Sequence, residues 1–218
     1  MFVQPHFVDT NGIRMAVYEQ GEGEPVILLH GFPELAFSWR HQLPALASAG
    51  YRAIAPDQRG YGRTTCPVDV DAYRIEELIA DVHGLLDALR LDSAVFVGHD
   101  WGALLLWHMA AVAPERIDKL ICLNIPHIAR PPIDAIELMR RRFGDDYYIV
   151  NFQDSDDAER AFAADTHRFF GAVMRKNQID REHFDKLPVE RKSINLLESL
   201  RRENPSGEAL LSDAERDY

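Results

Sequence analysis

Residues 97–102, Val97-Gly98-His99-Asp100-Trp101-Gly102, set a carboxylate between two glycines. Gly-x-nucleophile-x-Gly is the spacing of a strained strand-to-helix turn. Its glycines let strand and helix approach closely, and the central side chain is pushed out beyond the end of the strand. The helix that follows aims the positive end of its dipole at that residue, which favours a carboxylate or a developing oxyanion. Such turns usually carry Ser. With Asp100 in that place, the available chemistry is attack of a carboxylate on carbon to form an alkyl ester. Spacing alone leaves a second reading open, because Asp is also a favoured helix N-cap.

A second string, His30-Gly31-Phe32-Pro33-Glu34, follows the apolar run Val26-Ile27-Leu28-Leu29. A loop there can turn a backbone N–H toward the same site and form an oxyanion hole with the N–H of Trp101. The third string, Asp57-Gln58-Arg59-Gly60-Tyr61-Gly62-Arg63, reads from its glycines and charges alone as a turn.

The elements that must position these strings alternate in character. Asn11-Gly12 signals a hairpin between strands near Phe7–Thr10 and Ile13–Glu19. Uninterrupted apolar runs at 26–29, 53–55, 94–97 and 120–123 suit strands buried on both faces. Helical patterns separate them at 40–49, 75–89 and 101–113. The middle one carries the stripe Ile75, Leu78, Ile79, Val82, Leu85, Leu86 and Leu89, with Glu76, Glu77, Asp81 and Asp87 off it. Alternating strand and helix predict an α/β fold, a mostly parallel sheet flanked by helices, with chemistry at the carboxyl ends of the strands. Beyond Pro131-Pro132 no buried-strand run recurs, and helical segments are expected at 133–143, 157–175 and 188–202. The expected division is an α/β core over 1–128 and a helical domain over 129–218.

Composition narrows the partners. The 218 residues hold 24 Lys and Arg against 35 Asp and Glu, a formal charge of −11. That balance disfavours nucleic acid and anionic membranes, which require basic surfaces. The first residues lack a basic stretch followed by an apolar one, and no apolar run approaches the ~20 residues a bilayer demands. Cys66 and Cys122 offer neither a disulfide framework nor metal spacing. The expectation is a soluble cytoplasmic protein, monomer or homodimer, without metal.

Together, HGFPE at 30–34, RGYG at 59–62, GHDWG at 98–102 and LNIPH at 123–127 resemble the α/β-hydrolase-fold epoxide hydrolases, colinearly along the chain. The resemblance implies that Asp100 attacks an epoxide carbon, that Phe32 and Trp101 supply the oxyanion-hole N–H groups, and that Pro33 follows a cis peptide bond. Phe32, Pro33 and Trp101 would also line the substrate site. Two tyrosines of a helical cap domain would protonate the epoxide oxygen. Tyr148, ahead of the Phe152-Gln153 pair, matches the first, with Tyr147 its adjacent competitor, and Tyr218 stands near the second. The substrate would be a small epoxide and water, with no cofactor.

The base histidine and acid of that family lie on loops after strands that follow the cap, for which this chain offers no match. It therefore reads as the leading part of a longer protein with an incomplete cap and core, unable to turn over alone. His30 and His99 belong to motif strings, while His108, His127, His167 and His183 read as surface or supporting residues. Asn124 stands where some dehalogenases carry their acid. Alternatives are a haloalkane or haloacid dehalogenase of the same fold, or a hydrolase relic that only binds small molecules. Haloalkane dehalogenases usually carry Asn in place of Phe32. Haloacid enzymes place arginines where Trp101 and Leu104 stand, and Asp100 in place of Ser disfavours an esterase.

Overall fold

The computed structural model describes residues 2–129, 132–176, 185–186, 196–201 and 207–216. It divides into two compact units, Met1–Ile128 and Ala129–Tyr218.

In the first unit β1 (His6–Thr10) and β2 (Ile13–Gln20) form the hairpin, turning at Asn11 and Gly12 with positive φ. Then come β3 (Glu24–Leu29), α1 (Gln42–Ser48), β4 (Tyr51–Pro56), α2 (Ile75–Ala88), β5 (Ala94–His99), α3 (Trp101–Val112) and β6 (Ile117–Leu123). The sheet order is β1-β2-β4-β3-β5-β6. The β1, β2 and β4 neighbours pair antiparallel, and β4, β3, β5 and β6 run parallel. The carboxyl ends of β3, β5 and β6 therefore lie side by side.

Side chains alternate across a strand, so β3 feeds two cores. Ile27 and Leu29 pack with Phe96, Val82, Leu85 and Leu86 of α2, and Leu105, Leu106 and Met109 of α3. Val26 and Leu28 pack on the opposite face with Tyr18, Trp39, Leu43, Ala53 and Val95. This is why residues 26–29 are apolar without interruption. The apolar stripe of α2 faces the first core, but Asp81, expected beside it in solvent, is only 3% exposed. It accepts from Arg59 Nε at 2.7 Å and Nη2 at 2.6 Å, and from Asn11 Nδ2 at 3.1 Å. A charge can be buried there because its partners are complete.

Among the described residues β6 is one of the two edge strands of this sheet, with Ile121 49% and Leu123 40% exposed.

The second unit holds α4 (Ala135–Phe143), α5 (Tyr148–Asp154), α6 (Asp157–Ala164) and α7 (Thr166–Val173), then helices Leu196–Arg201 and Asp213–Arg216. The single helix expected over 157–175 is two, because Asp165 interrupts it and its side chain caps α7 by accepting from the Arg168 N–H at 2.8 Å. Of the helix expected over 188–202, the described part is Leu196–Arg201. A two-residue ladder, Arg175–Lys176 with Glu208–Ala209, was not foreseen. Ring contacts run in series through Phe143, Tyr147, Tyr148, Phe152, Phe162, Phe169 and Phe170, with centroids 4.2 to 5.8 Å apart. Phe169 is buried among them, and the other six rings are half-buried.

Candidate active site

The turn between β5 and α3 has the strained form its spacing calls for. Asp100 sits at φ 51° and ψ −118°, a region side-chain-bearing residues rarely adopt. A Cβ at Gly98 would stand 2.7 Å from the Ala103 nitrogen, and one at Gly102 2.3 Å from the Leu29 oxygen. Only glycine fits at Gly98 and Gly102, two residues either side of Asp100.

Asp100 occupies the N-cap position of α3, yet its side chain makes no capping hydrogen bond. Its Oδ1 accepts instead from the Phe32 N–H at 3.0 Å. The carboxylate thus faces the loop after β3, and the N-cap reading is set aside. The loop comes close because Gly31 lacks a side chain: a Cβ there would lie 2.4 Å from the Asp100 Cβ. The Phe32–Pro33 bond is cis. Trp101, 47% exposed, opens α3, so its N–H belongs to the first turn, which has no intrahelical acceptor.

Around this pair the neighbouring loops are pinned by buried polar groups. The His30 ring has Nδ1 3.0 Å from the Gly31 carbonyl, and Nε2 accepts the Gln58 N–H at 3.1 Å. Burial lowers its pKa, so the ring stays neutral with both nitrogens engaged. Asp57, 2% exposed, accepts from the Ala36 N–H at 3.0 Å and the Arg63 N–H at 3.1 Å. The Tyr61 phenol is pushed up to about 12 by burial and by the negative charge of Asp100.

A further cluster adjoins Asp100. His99 Nδ1 lies 2.8 Å from Glu34 Oε2, and His99 Nε2 lies 2.8 Å from Asn124 Nδ2. The hydrogen bond and charge of Glu34 raise the His99 pKa against its burial, with Asp100 adding a smaller push. The Glu34 carboxyl is held below its usual range; burial opposes this, and His99 and the Gly31 N–H outweigh it.

The structure therefore gathers Asp100, Phe32, Pro33 and Trp101 at the carboxyl ends of β3 and β5. Tyr148 is the first residue of α5 in the second unit, its ring 5.0 Å from Tyr147 and 5.6 Å from Phe152. Tyr218 and His183 lie outside the described residues. His108, His127 and His167 are exposed, with His127 edge-on to Trp107 at 5.4 Å. Among the described residues no three His, Cys, Asp or Glu side chains form a metal site. Sequence reasoning passed over Asp57, the Arg59–Asp81 pair and the Glu34–His99–Asn124 cluster. Glu34 and His99 stood in plain view inside the motif strings, and only the sheet order shows that they meet.

Comparison with known proteins agrees with this geometry. Residues 24–209 match the alpha/beta hydrolase fold family. Epoxide hydrolase A of Mycobacterium tuberculosis (strain ATCC 25618 / H37Rv) is 47% identical over 164 residues, 74% of this chain and 51% of that protein. Epoxide hydrolase 3 of Siraitia grosvenorii is 47% identical over 165 residues, 75% of this chain and 52% of that protein. The crystal structure of epoxide hydrolase A from Mycobacterium thermoresistibile superposes with a TM-score of 0.83 at 37% identity, covering 98% of this chain and 67% of that one. The chain spans about half the length of the curated relatives it matches. With its glycine-flanked elbow and its sheet order, the chain belongs to the alpha/beta hydrolase fold family.

Proposed function

We propose that the protein hydrolyses an epoxide to a vicinal diol through an alkyl ester on Asp100. The observation that carries the reading is that the Asp100 carboxylate accepts from the Phe32 N–H instead of capping its own helix. Relatives named epoxide hydrolases support the substrate class.

One Asp100 oxygen attacks an epoxide carbon, and the carbon–oxygen bond of the ring breaks. The departing oxygen takes the phenolic proton of Tyr148, leaving a hydroxyalkyl ester and a phenolate. A phenol suits this role because it keeps its proton at neutral pH yet hydrogen-bonds strongly to an alkoxide. Residues 129–218 act as the cap that supplies it, and Tyr218 is the candidate for the second tyrosine. Water, deprotonated by a base, then attacks the ester carbonyl. The resulting oxyanion is met by the N–H groups of Phe32 and Trp101. Collapse releases the diol and restores the carboxylate, and the proton taken by the base returns to the phenolate. The resemblance assigns that base to a histidine with no match in this chain. Every step uses side chains and water, so no cofactor is called for.

The test is an assay of the whole protein against a panel of epoxides and a panel of haloalkanes. Diol formation is expected. Halide release without diol formation would replace this reading with a dehalogenase.

A further inference from the structure

The loop that carries Phe32 is held to the elbow at two points. One is the bond from the Phe32 N–H to Asp100 Oδ1, at 3.0 Å. The other is the 2.8 Å contact between Glu34 Oε2 and His99 Nδ1, one residue before Asp100. The same Glu34 oxygen accepts from the Gly31 N–H at 3.3 Å, and the Glu34 N–H donates to the Gly31 carbonyl at 3.0 Å. One carboxylate thus closes the turn 31–34 and joins it to the ring of His99. The far side of that ring meets Asn124, 2.8 Å away just past the end of β6. Asn124 adopts φ 69°, a left-handed conformation that Asn tolerates better than most residues.

We propose that His99 is a positioning residue whose ring clasps the Gly31–Glu34 loop to the elbow and to the end of β6, and so keeps the Phe32 N–H on the Asp100 carboxylate. This rests on the reading of Asp100 as nucleophile.

The groups facing the ring are Glu34 from the loop after β3, Asp100 from the elbow, His30 from the end of β3 and Asn124 from the end of β6. Glu34 and Asp100 favour the imidazolium, and His30 is held neutral by burial. A charge-assisted bond to Glu34 is stronger than one from a neutral ring. Because the ring's pKa is raised in the folded protein, the full clasp exists at low pH and weakens as pH rises through that value. The Asn124 amide can offer oxygen to a charged ring or nitrogen to a neutral one, so that contact survives in both states.

The experiment follows the alkylation rate of Asp100 by an epoxide against pH in the whole protein and in His99→Gln and Asn124→Asp. The wild-type rate should fall as the ring loses its proton. In Asn124→Asp a second carboxylate beside the ring should move that fall upward by about half a pH unit or more. His99→Gln should be roughly 10-fold slower and flat over the same range, in keeping with a lost charge-assisted contact. A wild-type rate in His99→Gln, or an unmoved fall in Asn124→Asp, would overturn the clasp. NMR of protein labelled at histidine and phenylalanine separates this from the reaction itself. The Phe32 amide should titrate together with the His99 ring, whose pKa should drop in Glu34→Gln. If no alkylation occurs but Phe32 and His99 titrate together, the reading of Asp100 fails and the clasp stands. If Phe32 ignores the ring's titration, the clasp is wrong whatever the activity.

Discussion

Two adjacent tyrosines, Tyr147 and Tyr148, differ in their ring neighbours. Tyr148 starts α5 with its ring between those of Tyr147 and Phe152, while Tyr147 stacks toward Phe143. If Tyr148 is the proton donor, Tyr148→Phe slows ester formation by about 10²-fold, the usual worth of a positioned general acid. Displacement of halide, which has no oxygen to protonate, should hardly change. Tyr147→Phe should leave both rates nearly intact. Stopped-flow measurement of ester formation decides between them, and the reverse pattern would transfer the role to Tyr147. At this scale the elbow was readable, because Gly98 and Gly102 have steric reasons that spacing alone conveys. The choice between nucleophile and N-cap was not, because both readings use an Asp at the same position. What the structure adds is that Oδ1 accepts from the Phe32 N–H and makes no capping bond.

Strand and helix placement was legible wherever burial imposes a period. The run at 26–29 reads as a strand because both its faces meet apolar layers. Helix α5 was missed for the opposite reason. Tyr148-Ile149-Val150-Asn151-Phe152 is rich in β-branched and aromatic residues with weak helix propensity, and burial of Val150 and the ring contacts of Phe152 override it. The Glu34–His99–Asn124 cluster was invisible because its members are far apart in sequence. They meet only because β3, β5 and β6 are neighbours in the sheet. Likewise Asp81 reads as a solvated helix residue until Arg59 is brought onto it. That pair joins the loop after β4 to α2, and its side chains are only 5% and 4% exposed. Removing one partner of a buried pair typically costs about 3–5 kcal/mol. Arg59→Met should therefore lower the stability read from urea unfolding by about 3 kcal/mol, leaving Asp81 buried and unpaired. A loss below about 1 kcal/mol, the worth of a surface pair, would show the contact to be ornamental.

At the scale of the molecule, β6, one of the two edge strands of the six-stranded sheet among the described residues, presents Ile121 and Leu123 to solvent. An apolar strand edge with a single neighbour invites pairing with another chain. The 218 residues produced alone should therefore self-associate, and Ile121→Lys should reduce that association in light scattering. Equal association in both would place the contact elsewhere. The same preparation bears on catalysis: if Asp100 is the nucleophile, its ester can form without a base but is not readily hydrolysed without one. It should accept one epoxide and stall. Repeated turnover by monomeric 218-residue protein would identify a base among its own histidines, with the exposed His127 the first to test. The central claim, that Asp100 is the nucleophile, is tested most directly by incubating this protein with an epoxide and locating the adduct by peptide mass spectrometry. The account predicts a single added epoxide mass on the peptide containing Asp100, absent in freshly purified Asp100→Asn. An adduct on another residue, or the same adduct yield in Asp100→Asn, would contradict it.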